Sequence, residues 1–489
     1  MVKWLKLQFL NILDLENFRE IKMRKAVITL LGMIDHTRLE NIEDRAIYRF
    51  SNKLNEFSRY LTQERYINTL PLLIDTFEDR DIIPIATQKA KEVQRKTLDV
   101  SNVKSSALDN TILIDESDYE GIFQKISKVL ENNEYDSFII DLTHGFRHLP
   151  ILMIINLIIN SMKDTDKIEH IFFAKEITPY KEYEIIDLLD YIGLAKLSFV
   201  LENFNQNYTI GNKLSFRNEK YQDLVDSLRI ISGHILANSL KTLIEKDNNL
   251  INQTIEKLNN LKQEDKNIAT FSTSINNIIK HLKKIEILKD EKDYIKLFRF
   301  SQMMKEREYL LNSITLLNES IGMYCVELIK NINPEIKDKI NKFIKSEEFS
   351  LYRVAQQSKT LINLENGFNG NYLDETFPKE EILSKIKELE NSRLKDLIKE
   401  VSDLRNNLAH GNSSSEIENV KGTISKLLRE YKITIKIPDE IDIEEKIKNI
   451  EKRANDKAEN KPKKNRPKPT GIDVSKEQVN KLENIFNNR

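Results

Sequence analysis

The chain has 489 residues, 40% hydrophobic and 31% charged, with 76 Lys and Arg against 77 Asp and Glu for a formal net charge of −1. That length exceeds one small core and sets an expectation of two or three domains, and the composition excludes a disordered chain. The near-zero net charge excludes a global field pulling the chain onto nucleic acid, so any RNA contact has to come from a local patch.

Cys325 is the single cysteine, so no internal disulfide can form. With no secretory signal in view, a reducing cytoplasm is expected. Cys325 lies in an apolar helical run and reads as a plain buried thiol. The longest apolar run, Leu149 to Ile159, is interrupted by Asn156. It is shorter than the roughly 20 residues that span a bilayer, so a buried helix and no membrane partner are expected. Residues 1–22 carry no small-residue cleavage site and read as an N-terminal extension.

From about residue 25 to 200, strands alternate with helices. Ala26–Leu31 is a short apolar run ending at Gly32. Thr69–Ile74 reads as the next strand, placed at an edge or a strand start by Pro71. Asp81–Thr87 follows with the same proline restriction at Pro84, then Thr111–Ile114, Ser137–Leu142 and His170–Ala174. Continuous apolar runs of this length suit strands buried on both faces. Helical stretches fall between them at 121–132 and 150–162. The alternation predicts a mostly parallel sheet with helices on both sides, an α/β fold.

From about residue 212 the strand signals vanish and long amphipathic patterns take over. Phe298–Ile332 and Lys379–His410 are the clearest helices, with Pro334 ending the first. Leu224–Leu243 and Thr254–Leu288 read as helical too, so this half is expected to be an all-α bundle. The run Lys461–Pro469 is basic and rich in proline. It is read as a solvated linker to a final helix, Ser475–Phe486.

In parallel sheets, ligands bind in the crevice at the carboxyl ends of the strands. The strand Ser137–Leu142 opens onto Thr143, His144, Gly145, Phe146, Arg147, His148, Leu149 and Pro150. Thr143 and His144 offer hydrogen-bonding side chains, and Gly145 allows close backbone approach. The start of the following helix favours an anion, and Arg147 and His148 can add positive charge. These features suit a phosphate-bearing ligand. They would equally suit a structural strand-to-helix turn capped by Thr143.

The stretch Asp141–Pro150 resembles the nucleotide-site motif of CARF domains, which sense nucleotides in CRISPR-associated proteins. Leu30–Leu31–Gly32 is similar to the first motif of the same family. The resemblance covers roughly residues 23–200. It implies a Rossmann-like homodimer in which two sheets share one pocket for a cyclic oligoadenylate of four or six units. Carried onto this chain, Gly32, Thr143, His144, Gly145 and Arg147 would line that pocket, joined by Thr87 and Gln88. Some CARF domains also cut their ring slowly, and Thr143, His144 and Arg147 could serve that step.

The second half carries Arg405–Asn406–Asn407–Leu408–Ala409–His410–Gly411. RNA can be cut without metal when its own 2′-hydroxyl attacks the adjacent phosphate, given a proton-transfer group and a cation at phosphorus. Histidine and arginine do these jobs near neutral pH. A second Arg-x4-His spacing, Arg229 and His234, flanks Ile230 and Ile231 in an apolar helix and reads as structural. His410 precedes Gly411, a natural helix stop, and the helix dipole there favours a cation. Ser413–Glu416 carries capping-box chemistry for the next helix. A C-capping histidine beside a solvated arginine is the plain alternative. Five residues along a helix is about 140° of rotation, so the two side chains do not share a face.

Arg405–Asn406 with His410, in a helical domain behind a CARF-like one, is similar to the HEPN ribonuclease motif over about residues 295–435. That resemblance implies a metal-independent endoribonuclease whose composite site forms from two protomers. Arg405 would hold the phosphate, His410 would move protons, and Asn406 would position the phosphate or Arg405. No Cys/His cluster, P-loop or nucleophile elbow supports a zinc-hydrolase, kinase or serine-hydrolase reading.

Taken together, the sequence predicts an α/β Rossmann-like sensor at 23–200, a helical connector at 201–294, a HEPN-like bundle at 295–435 and a basic tail at 436–489. The expected protein is a cytoplasmic homodimer or higher oligomer. It would cut single-stranded RNA in type III CRISPR antiviral defence when cyclic oligoadenylate binds, with no cofactor for catalysis. The alternatives are a non-catalytic cyclic-nucleotide sensor acting through a protein partner, and a toxin-type HEPN ribonuclease restrained by a partner.

Overall fold

A computed structural model describes residues 24–34, 37–163, 167–211, 214–244, 249–345, 351–364, 380, 382–383, 392–411 and 414–437. The expected extension 1–22, the basic run 461–469 and the final helix 475–486 lie outside the described residues, as does Ser413 of the capping box.

The strands are β1 (Arg24–Leu30), β2 (Ile47–Phe50), β3 (Asp81–Ala86), β4 (Ile112–Leu113), β5 (Tyr135–Asp141), β6 (Ile168–Thr178) and β7 (Glu182–Asp187). They form one sheet in the order β2-β7-β6-β5-β1-β3-β4. Every pair is parallel except β6 with β7, a hairpin whose turn includes Tyr180 at φ +61°. β1 and β5 lie at its centre, and both are buried along most of their length because both of their faces are covered. Val27, Ile139 and Phe172 face one layer with Tyr48, Leu70 and Leu73. Ala26, Ile28 and Ile140 face the other with Ile126, Leu149 and Met153.

The helices of this half are α1 (Thr37–Glu40), α2 (Thr69–Thr76), α3 (Gln88–Val100), α4 (Tyr119–Leu130) and α5 (His148–Ser161). The expected strand at Thr69–Ile74 is in fact helix α2. The Asn68 side chain accepts the Leu70 N–H and caps it. Pro71 falls in the first turn, where no helix hydrogen bond needs its missing N–H. Strands β2 and β7 carried no clear sequence signal. Pro84 pairs in register with Thr29 of β1. It is tolerated because β4 reaches only Ile85 and Ala86 on the other side.

Among the described residues no strand follows Asp187. The chain continues as α6 (Leu189–Asn207), α7 (Glu219–Leu236), α8 (Leu240–Ile244), α9 (Leu250–Glu264), α10 (Ser272–Ile287), α11 (Asp293–Glu306), α12 (Leu310–Lys330), α13 (Pro334–Lys345), α14 (Leu351–Ile362), α15 (Ser392–Ala409) and α16 (Ile417–Thr434). The expected helix 298–332 is two, because the chain turns at Glu308 with φ +62°. The expected helix 254–288 is also two, broken at Asp265, an extended residue that caps the turn after α9. Pro334 opens α13 rather than merely ending α12.

One apolar core runs from Leu197 to Leu316 and joins the expected connector to the helices on both sides of it. Cys325 is fully buried in α12, and burial pushes its thiol up to about 12, which makes it inert. The described residues up to Tyr431 pack as one compact unit, and those from Lys432 to Ile437 belong to a second. Among the described residues no helix is long and apolar enough to cross a membrane.

Candidate functional site

Two places in the first unit carry the predicted residues. The first is the carboxyl edge of the sheet where β1 lies beside β5. Chain order reverses here: β3 and β4 lie on one side of β1, and β5 and β6 on the other. This is the switch point at which open parallel sheets form a ligand crevice.

Gly32 leaves β1 and Gly145 leaves β5, and the two loops touch. A Cβ on Gly32 would stand 3.0 Å from the Gly145 nitrogen and 3.2 Å from its Cα. Gly145 has φ +97°, in the region only glycine enters without strain, and a Cβ there would meet Leu149 and Leu30. The sequence thus folds two glycines against each other at the mouth of the crevice.

Asp141 holds the turn together. Its carboxylate is 1% exposed. One oxygen accepts the hydroxyls of Thr29 and Thr69, each at 2.8 Å. The other accepts the Thr143 hydroxyl at 2.6 Å and the Thr143 N–H at 3.1 Å. The Thr143 hydroxyl in turn accepts the Ala174 N–H at 3.0 Å. Thr143 therefore acts through its fixed place in the turn, with its hydroxyl already engaged on both sides.

His144 follows, partly exposed. Its Nε2 accepts the Thr69 N–H at 3.3 Å at the start of α2, which sets the proton on Nδ1. Burial lowers the imidazole pKa, Asp141 opposes that, and the Arg38 guanidinium adds to it. His144 is thus held neutral. Arg147 is exposed and sits at the cap of α5 with no side-chain bond to the helix. The His148 ring lies edge-on to Tyr119, centroids 4.9 Å apart, and stacks on Phe146.

Thr87 and Gln88 stand one strand away, beyond β3. The Thr87 hydroxyl accepts the Ala90 N–H and caps α3. Gln88 is exposed and donates to Glu92. Sequence reasoning missed Gln94, whose amide donates to the Gly32 carbonyl at 2.9 Å and accepts from Asn68 at 2.8 Å. It also missed the part played by Asp141. A lone carboxylate ending an apolar strand was the available signal.

The second place is the end of α15. Helical geometry runs unbroken through Arg405 and Asn406 to Ala409. The His410 N–H closes on the Asn406 carbonyl at 3.0 Å, and Gly411 turns away at φ +67°. The Arg405 guanidinium donates to Asn406 Oδ1 at 3.1 Å. Arg405 is half-buried and its Nε, out of contact with solvent, has no hydrogen-bond partner among the described residues. Asn406 and His410 are exposed. One chain therefore leaves Arg405 half-buried within α15 and His410 exposed just past its end.

Arg229 bonds to Asp226 and to the Leu214 carbonyl at 2.8 Å, while partly exposed His234 lies by Ser239. Arg229 thus ties α7 to the loop before it, and His234 lies by the loop after it. Among the described residues no group of three His, Cys, Asp or Glu could hold a metal ion.

No family model matches the chain, and no curated protein matches it. Among solved structures the chain is similar to Enterococcus italicus Csm6 bound to cyclic hexa-2'-fluoro-hexa-dAMP, at 13% identity over 89% of this chain and 100% of that one, with a TM-score of 0.28.

Proposed function

We propose that the chain is a metal-independent RNA endonuclease switched on by a cyclic oligoadenylate, in type III CRISPR antiviral defence. Residues 23–200 sense the ring, 295–435 cut, and 201–294 connect them. The observation that carries the reading is the pairing in one chain of two motifs. The Thr143–Arg147 turn lies against Gly32 at the sheet's switch point, and Arg405, Asn406 and His410 share one helix end.

At the first site, the glycine pair lets a polyanion lie close to backbone N–H groups, and Arg147 and the start of α5 supply positive potential. Neutral His144 offers its Nδ1–H as a donor to the bases or ribose, and Thr143, engaged by Asp141 and Ala174, fixes the turn that presents it. At the second site, Arg405 binds the scissile phosphate and stabilises charge at phosphorus. His410 moves a proton to the leaving 5′-oxygen, and Asn406 steadies Arg405. The 2′-hydroxyl gives up its proton to water and its oxygen bonds to phosphorus as the bond to the 5′-oxygen breaks, leaving a 2′,3′-cyclic phosphate and a 5′-hydroxyl that has taken the proton from His410.

Two features favour a working homodimer. Arg405 is half-buried within α15 and His410 is exposed just past its end, so a complete site needs a second copy. The face of α5 leaving the ring site exposes Ile151 at 60%, Ile155 at 43% and Ile159 at 45%, a stripe at four-residue spacing. Ring binding across such a pair would bias one arrangement of the helical halves.

The test is labelled single-stranded RNA incubated with the full chain and rings of three to six adenylates. Cutting with one ring size, lost in His410→Ala while ring binding persists, is the expected result. Cutting without any ring would support the restrained-toxin alternative. No cutting under any condition would support a sensor without chemistry.

A further inference from the structure

Strand β6 does not stop where its neighbour does. β5 ends at Asp141, which pairs with Phe172, while β6 runs on to Thr178 and returns as β7. Residues 173–178 therefore overhang the carboxyl edge of β5 by about 20 Å, at roughly 3.3 Å per residue. The Thr143–Arg147 turn docks on the base of this overhang. The Leu142 N–H donates to the Phe172 carbonyl at 2.9 Å, and the Ala174 N–H donates to the Thr143 hydroxyl at 3.0 Å. Phe173 is the residue between those two contacts.

Side chains alternate across a strand. Phe172 and Ala174 belong to the core layer of Tyr48 and Leu70, and Ile171 to the layer of Leu149 and Met153 of α5. Phe173 and Lys175 therefore point to the α5 side, where Arg147 caps that helix. Both are open there: Phe173 is 38% exposed, and Lys175 is exposed, as is Arg147. Across the same face Lys175 pairs with Glu184, and Glu184 with exposed Arg49 of β2, so the row carries one net positive charge. The overhang is also braced. β2 pairs with β7 from Ile47 to Phe50, and Tyr48 stacks on Tyr183 with centroids 5.1 Å apart. The Arg38 guanidinium donates to the Tyr180 carbonyl at 2.8 Å and to the Ile67 carbonyl at 3.2 Å.

We propose that this overhang is a wall of the ring site, on which Phe173 stacks an adenine and Lys175 pairs with an adjoining phosphate. This rests on the reading of the crevice as a cyclic-oligoadenylate sensor. Each adenylate presents a flat π-face and a phosphate anion. Phe173 and Lys175 present an aromatic face and a cation about 7 Å apart on one face of one strand. With Arg147 on the same side of the sheet, the polyanion meets cations on either side of the docked turn. The ladder already fixes the backbone that carries both side chains, so little ordering cost falls on the ligand.

The experiment titrates rings of three to six adenylates into the full chain by calorimetry at several salt concentrations. For the ring that binds, Phe173→Leu is expected to raise Kd roughly 5- to 150-fold, the worth of one base–aromatic stack, and Phe173→Tyr to restore most of that loss. Lys175→Gln should make the fall of log affinity with log salt shallower by roughly 0.7, while Phe173→Leu leaves that slope as it is in the parent. Parent-like affinity in Phe173→Leu overturns the proposal and leaves the sensor reading standing. A dimer that dissociates more readily in Phe173→Leu, with ring affinity per dimer unchanged, overturns it too and makes this face a contact between copies. If Phe173→Leu does not fold, the salt slope of Lys175→Gln decides. If the parent binds no ring, the sensor reading fails, and linear hexa-adenylate decides separately: binding lost in Phe173→Leu supports the wall, and binding unchanged, or absent from the parent, refutes it.

Discussion

Substituting Gly32 by alanine probes the contact between the two loops at the crevice. The new Cβ would lie 3.0 Å from the Gly145 nitrogen and 3.2 Å from its Cα. Both are backbone atoms, so no side-chain rotation relieves the contact. Reaching ordinary van der Waals separation requires the two loops to part by about half an ångström. Gly145 has little room to retreat, since Leu30 and Leu149 already crowd its α-carbon and its φ of +97° is fixed by the turn. Overpacking of this kind costs about 1–3 kcal/mol, equivalent to a roughly 5- to 150-fold rise in local opening. Hydrogen–deuterium exchange of peptides covering 26–34 and 139–150 reads that rise directly. Gly193→Ala is the control. Gly193 is a glycine inside helix α6 with nothing within 4 Å of a Cβ, so alanine there should stabilise by about 0.5–1 kcal/mol. If the two variants exchange alike at the crevice, the two loops do not meet as described and the ligand crevice loses its floor.

Asp141→Ala strands four hydrogen-bond donors from three threonines around a buried gap. It should cost about 3–5 kcal/mol in urea unfolding, with Asp141→Asn costing less because an amide can still serve both sides. Arg147→Ala should raise the ring concentration for half-maximal RNA cutting by roughly tenfold and leave the maximal rate at saturating ring unchanged; a lost maximal rate would place Arg147 elsewhere in the mechanism. His281 gives a pH signature. Burial, then Arg307, push its imidazole down to about 4, and its Nδ1 accepts from Arg307 at 2.7 Å. The unfolded ring titrates near 6.5, so it binds a proton between roughly pH 6.5 and 4 while the folded ring does not. Stability is complete above that window and is lost as pH falls through it. Solvent access to the ring trims the loss to about 2 kcal/mol. His281→Gln should flatten that part of the stability curve measured by urea midpoints.

The central strands were legible because burial on both faces writes a continuous apolar run, as in Ala26–Leu31 and Ser137–Leu142. Strands β2 and β7 were not, because at the margin of a sheet Arg49 and Glu184 alternate with apolar residues and dilute the signal. Thr69–Ile74 shows the limit of a short apolar run, which suits a buried helix as well as a strand; the Asn68 cap was the deciding mark. The helix breaks at Glu308 and Asp265 have no glycine or proline to announce them. The Thr143–Arg147 turn stood out because its polar residues are contiguous. The role of Asp141 did not, since its partners Thr29 and Thr69 are 112 and 72 residues away in sequence.

The margins of the sheet limit how copies of this chain can associate. One rim is β2, four residues long, and the other is β4, only two. Beside that shorter rim, Pro84 removes the amide hydrogen that a visiting backbone would seek. Among the described residues neither rim offers the long row of open peptide groups on which foreign strands grow ladder by ladder. A chain blunted in this way resists fibril-like growth, and its self-recognition is left to side chains on helices, where contacts can form, break and re-form without unzipping the sheet.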